Sequence, residues 1–161
     1  MKHLYSPWRM KYILENKGKK CVFCVKQEDT NDAKHFILRR GEYSYVIMNL
    51  YPYNSAHLLV VPYKHVSTLQ ELPDEELTEM MQLVKLSEKV LTKVYKPDGF
   101  NIGMNIGEAA GAGIAEHLHV HIVPRWKGDT NFFTTINGTR VIPEDMKIAY
   151  KKLKKVFDEE K

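Results

Sequence analysis

Three imidazoles stand two residues apart in His117-Leu118-His119-Val120-His121-Ile122-Val123, with aliphatic residues between them. Side chains alternate along a β-strand, so an extended backbone puts the histidines on one face and Leu118, Val120 and Ile122 on the other. Histidine titrates near neutrality, attacks electrophiles and ligates metals. A row of three points to chemistry, while the aliphatic face anchors a core. Alternate residues lie ~6.6 Å apart, so the outer rings span about 13 Å and the three do not easily reach one atom. His119, with a neighbour on either side, is the natural reacting centre. Its neighbours can hold a phosphate oxygen, fix its tautomer or bind a metal.

Two further stretches could carry chemistry. Cys21-Val22-Phe23-Cys24 offers half of a tetrahedral zinc site, with two ligands to come from elsewhere. The other reading is a pair of reduced, partly buried thiols, since a disulfide does not persist in the cytoplasm. Asn105-Ile106-Gly107-Glu108-Ala109-Ala110-Gly111-Ala112-Gly113 is a loop whose backbone amides can approach an anion unobstructed. It lacks a Walker-type Lys-Ser/Thr ending and fits no dinucleotide fingerprint. Alone it reads as a tight connection; directly before the histidines it reads as a phosphate cradle.

These groups need elements to hold them. Tyr43 to Met48 has the β-branched and aromatic content of a strand, Tyr51 to Ser55 makes a turn, and Ala56 to Val61 is a second strand ended by Pro62. The two pair as antiparallel neighbours. Pro73-Asp74-Glu75-Glu76 starts a helix, with acids suited to the positive end of its dipole. Leu77, Met80, Met81, Val84, Leu91, Val94 and Tyr95 then recur at helical spacing until Lys96-Pro97-Asp98-Gly99. Phe100 to Ile106 is a third strand and His117 to Val123 a fourth, closed by Pro124. A last amphipathic helix begins near Pro143. The pattern predicts one α+β domain over residues 1–161, with a mostly antiparallel sheet, one long helix and a C-terminal helix.

Composition sets the setting. A chain of 161 residues can bury an independent core. No run approaches the ~20 apolar residues that span a bilayer, and the N-terminal stretch lacks the apolar core of a secretory signal. The expectation is a cytoplasmic protein without a membrane partner. A formal charge of +4 suits a solvated surface or an anionic ligand, and no basic stripe with interleaved aromatics signals extended nucleic acid.

The histidine row matches the His-φ-His-φ-His-φ-φ signature (φ hydrophobic) and so resembles the histidine triad (HIT) superfamily of nucleotide hydrolases and transferases. The likeness extends to Leu4-Tyr5-Ser6-Pro7-Trp8-Arg9-Met10, the Cys21/Cys24 pair, Met48-Asn49, His57-Leu58-Leu59-Val60-Val61-Pro62 and Pro124-Arg125-Trp126 with Gly128-Asp129-Thr130-Asn131-Phe132. Together these look like the microbial branch associated with diadenosine tetraphosphate phosphorylase or hydrolase activity.

The resemblance implies a HIT-like fold and a covalent mechanism on a nucleotide or dinucleoside polyphosphate. His119 would attack the α-phosphate, His121 would contact or protonate a phosphate oxygen, and His57 would line the same site. Asn49 would lie near the ribose, and Asn105 with the backbone around Gly111 and Gly113 would cradle phosphates. Related nucleotidyltransferases place zinc on comparable cysteines and the first triad histidine, so a structural Zn2+ is expected on Cys21, Cys24, His65 and His117. A homodimer with a continuous sheet is also implied. Trp8 and Trp126 would be buried anchors, dimer contacts or surfaces for a base. One departure stands out: Gly113 and Ile114 occupy positions where several branches carry Gln and Ser or Thr, which removes side-chain donors to the phosphates. Two rivals remain, a metal-dependent hydrolase using the histidine row as zinc ligands and a nucleotide sensor without turnover.

Overall fold

The computed structural model describes residues 21–130 and 144–160. Trp8, Arg9, Asn131, Phe132 and Pro143 lie outside them. The elements are α1 (Val22–Glu28), α2 (Asp32–His35), β1 (Ile37–Arg40), β2 (Ser44–Met48), β3 (Leu58–Pro62), α3 (Asp74–Tyr95), β4 (Gly99–Gly103), β5 (Val120–Arg125) and α4 (Met146–Glu159). The strands form one antiparallel sheet in the order β1-β2-β3-β5-β4. This is the α+β architecture the pattern predicts.

Both faces of the sheet are covered, and this decides how the histidines are held. Ile47, Leu59 and His121 lie opposite one another across β2, β3 and β5, as do Val46, Val60 and Val120. Alternation sends the first set to one face and the second to the other. Val46, Val60, Val120 and Leu118 pack under Met80, Val84 and Leu91 of α3 and Leu153 and Phe157 of α4. On the opposite face Phe23 of α1 packs with Ile37, Tyr45, Ile47, Leu59 and Val61. A buried phenylalanine contributes roughly 2–3 kcal/mol by leaving water. That is enough to seat the short helix carrying both cysteines.

Several boundaries differ from the sequence pattern for physical reasons. β5 begins at Val120, not His117, because β3 pairs with it only from Val60 to Leu58. The backbone then bends, and Leu118 N donates to Val66 O at 2.7 Å instead of to a ladder partner. Leu118 still faces the core. Pro124 does not close the strand either: it pairs with Phe100 of β4. Its carbonyl accepts from Asn54 Nδ2 at 2.9 Å, on the flank where β3 has ended. The missing N–H faces the same flank, so no ladder bond is lost. β3 starts at Leu58 because Ala56 has φ of 56°, a left-handed turn conformation. β4 stops at Gly103 rather than Ile106, opposite His121. Met81, one step off the inward stripe of α3, is 53% exposed. α4 begins at Met146, where the Asp145 side chain accepts from Lys147 N and Ile148 N.

Candidate active site

The histidine face is sealed by α1 and by the loop between β2 and β3. His117 and His119 are buried, and the Phe23 ring sits beside both, at centroid distances of 5.3 and 5.2 Å. Phe23 acts as a spacer between two differently occupied imidazoles.

Hydrogen bonds assign the ring protons. His119 Nδ1 lies 2.8 Å from the carbonyl oxygen of His117, an obligate acceptor, so Nδ1 carries the proton and Nε2 keeps its lone pair. Among the described residues no hydrogen bond occupies that Nε2. A second chain runs through His57. Tyr53 N–H donates to His57 Nδ1 at 3.1 Å, and Asn49 Nδ2 lies 3.3 Å from the same nitrogen. The His57 proton is therefore on Nε2, 3.0 Å from His121 Nδ1. His121 accepts there and carries its own proton on Nε2, which is buried without a hydrogen-bond partner among the described residues. The rings of His119 and His121 stand 4.8 Å apart at 66°. A bare nucleophilic nitrogen thus neighbours an unspent N–H donor.

Burial keeps these rings neutral. It lowers the pKa of His119, takes His121 down to about 4 and takes His57 down to about 3, with the other imidazoles adding to the last two shifts. The native rings of His57 and His121 therefore bind no proton in a range where the unfolded rings, with an ordinary value of 6.5, do. Stability from this pair is full above pH 6.5 and falls as pH drops toward about 4 for His121 and about 3 for His57. In thermal unfolding at several pH values, His57→Asn should lose less stability than wild type over that interval. An identical acid response would contradict neutral burial of His57.

The first triad imidazole turns elsewhere. His117 Nε2 donates to Pro62 O at 2.9 Å, leaving the Nδ1 lone pair 3.3 Å from Cys21 Sγ, 3.6 Å from Cys24 Sγ and 3.2 Å from His65 Nδ1. Cys24 Sγ is 3.3 Å from His65 Nδ1, and the four ligand atoms all lie within 4.8 Å of one another. Zinc bonds of about 2.3 Å to sulfur and 2.0–2.1 Å to nitrogen place tetrahedral ligands roughly 3.3–3.8 Å apart. Four of the spacings, 3.2–3.6 Å, lie close to that figure, and the Pro62 carbonyl supplies the outer bond that orients a metal-binding imidazole. The cluster could hold a metal. Burial, and then the Cys21 sulfur, push the Cys24 thiol above its ordinary value, so metal binding would displace a proton. Among the described residues no second such cluster forms, and the three triad histidines do not converge on one point.

Comparison with known proteins matches this site to a family. The HIT domain profile covers residues 30–128. The chain belongs to the HIT domain family. Over 152 residues this HIT protein is 41% identical to a Mycobacterium tuberculosis protein named AP-4-A phosphorylase, spanning 89% of this chain and 78% of that one. It is 37% identical over 93 residues to the asymmetrical bis(5'-nucleosyl)-tetraphosphatase of Schizosaccharomyces pombe, covering 58% of this chain and 50% of the relative. A Zn-bound histidine triad family protein from Mycobacterium smegmatis superposes with a TM-score of 0.70 at 26% identity, covering 87% of this chain and 94% of that one.

The HIT fold brings Asn49, His57, His119 and His121 into one linked group, and Cys21, Cys24, His65 and His117 into another. Asn105, Gly111 and Gly113 stand apart: among the described residues no hydrogen bond joins them to the histidines. Gly111 has φ of 90°, which favours glycine, and a Cβ on Gly111 or Gly113 would meet no atom within 4 Å. Phe23 and Tyr53 escaped sequence reasoning. Their signals were an aromatic between two cysteines and an aromatic pair, Tyr51 and Tyr53, in a turn where polar residues are usual. A further brace fixes the end of β5: Asn54 Nδ2 donates to Asp129 Oδ2 at 2.8 Å, and Arg125 grips the same carboxylate at 2.7 and 2.8 Å.

Proposed function

We propose that this enzyme cleaves dinucleoside polyphosphates by nucleotidyl transfer through His119. The observation carrying this reading is the bare Nε2 of His119 beside the unpartnered Nε2–H of His121. His119 Nε2 attacks the α-phosphorus, the bond to the bridging oxygen breaks, and that oxygen departs as a phosphate anion with the His121 Nε2–H donating a hydrogen bond to its developing charge. The attacking ring becomes cationic, and its Nδ1–H bond to the His117 carbonyl strengthens as that charge develops. His57 holds His121 in orientation through its Nε2–H. Water or hydrogen phosphate then attacks the same phosphorus, its proton passing to solvent, and His119 departs as the free imidazole while His121 keeps its Nε2–H. Splitting one displacement into two lowers each barrier.

Asn49 is proposed to contact the ribose, with Asn105 and the backbone at Gly111 and Gly113 cradling the phosphates. Cys21, Cys24, His65 and His117 would hold a zinc ion, which when bound supplies rigidity rather than a reacting group. We assign the protein to the cytoplasm, the expectation set by its sequence, and to a homodimer, as its resemblance to the family implies. The names of the mycobacterial and fission-yeast relatives support the substrate class.

Product analysis with diadenosine tetraphosphate tests the reaction. ADP with ATP, formed only when inorganic phosphate is present, means phosphorolysis; AMP with ATP means hydrolysis. Both agree with attack at the α-phosphorus. Two ADP without added phosphate, or no mononucleotide at all, would overturn it.

A further inference from the structure

The loop between β2 and β3 is unusually apolar for a turn. Leu50, Tyr51 and Tyr53 keep 41%, 42% and 46% of their surface exposed, and the Tyr53 ring lies directly beside the reaction centre. Three large exposed side chains on one short connection suit a contact surface. Here the loop is tied to the site at two points: Tyr51 N–H donates to Asn49 Oδ1 at 2.9 Å, and Tyr53 N–H donates to His57 Nδ1 at 3.1 Å. The Tyr53 ring lies against His57 at 4.8 Å and 41°, and stacks on His121 at 5.6 Å and 23°. Part of one ring face is covered by imidazoles while much of the side chain still meets solvent.

We propose that Tyr53, supported by Tyr51 and Leu50, is a stacking platform for the base of the departing nucleotide. This inference rests on the polyphosphate-cleaving reading. If His121 Nε2–H meets the leaving oxygen, the leaving chain passes His121, and Tyr53 is the aromatic ring stacked on that imidazole. A small leaving group has nothing to place there. A dinucleoside polyphosphate carries a second planar heteroaromatic base at the far end of its chain, and aromatic rings hold bases of any sequence by their π-faces. The platform gives the enzyme a reason to prefer two-headed substrates, using residues that take no part in the bond exchange.

Calorimetric binding of a methylene-bridged, non-hydrolysable diadenosine tetraphosphate, compared with AMP, separates this proposal from the catalytic one. In Tyr53→Ala the dinucleotide Kd should rise about tenfold relative to the AMP Kd, the loss of one stacked base. Tyr53→Phe should restore the wild-type ratio because the hydroxyl is not required, and Tyr51→Ala should show a smaller loss of the same sign. A ratio unchanged in both alanine variants would overturn the platform, whether or not sedimentation then showed the patch to be a subunit contact. Failure of wild type to cleave diadenosine tetraphosphate would sink the catalytic reading instead, while the binding ratio would still decide this one.

Discussion

His119→Ala is expected to lower kcat for diadenosine tetraphosphate by about 10⁴-fold or more while leaving the fold and the metal content intact. The size follows from the role: loss of a covalent nucleophile removes the whole two-step route, not one favourable contact within it. The selectivity follows from geometry. His119 shares no atom with the cysteine cluster; its Nδ1–H bond goes to the His117 carbonyl, which alanine leaves in place. Substrate affinity should change little, because Asn49, His57 and His121 keep their mutual hydrogen bonds. Steady-state kinetics alongside zinc analysis checks this. A fall of only a few fold would mean that another group attacks phosphorus and that His119 merely lines the site.

His117→Ala should have the opposite signature, with zinc content falling to near zero and thermal stability dropping sharply. The buried ring bonds Pro62 through Nε2, faces both sulfurs and His65 through Nδ1, and packs on Phe23. Its removal deletes a metal ligand and leaves a cavity beneath the helix that carries both cysteines. A loss of about 4 kcal/mol is in line with deleting a large buried side chain, and for a chain of this size it lowers Tm by roughly 8–16 °C. Chelation should destabilise wild type and have little effect on the variant. Full zinc occupancy in His117→Ala would remove this residue from the ligand set. Activity should also fall, since the displaced backbone carbonyl no longer fixes the His119 tautomer.

Much of the scaffold was legible because its signals are local. The long helix announced itself through Leu77, Met80, Val84 and Leu91, with acids at Asp74 to Glu76, and it runs from Asp74 to Tyr95. The hairpin of β2 and β3 followed from two short apolar runs around a turn. The four-residue cluster that could hold a metal was legible too, although only the family resemblance joined His65 and His117 to the cysteines. Missing were α1, α2 and β1. Ile37-Leu38-Arg39-Arg40 is too short and too charged to read as a strand, and it becomes one only by pairing with β2. Val22–Glu28 is barely two turns of helix, and its stability comes from Phe23 in the sheet, a tertiary effect with no local period. The histidine row was expected to lie along a strand; instead it straddles the strand's start. That bend lets His117 turn to the cysteines while His119 and His121 stay together, a division that alternation alone does not specify.

Capture of the covalent species tests the central claim most directly. Wild-type enzyme mixed with excess diadenosine tetraphosphate and quenched within the first turnover should carry one nucleoside monophosphoryl group, localised by peptide mass spectrometry to His119 and lost on mild acid treatment. The same experiment on His119→Ala should yield no adduct. An adduct on another residue, or turnover by wild type with no adduct at any quench time, would contradict nucleotidyl transfer through His119.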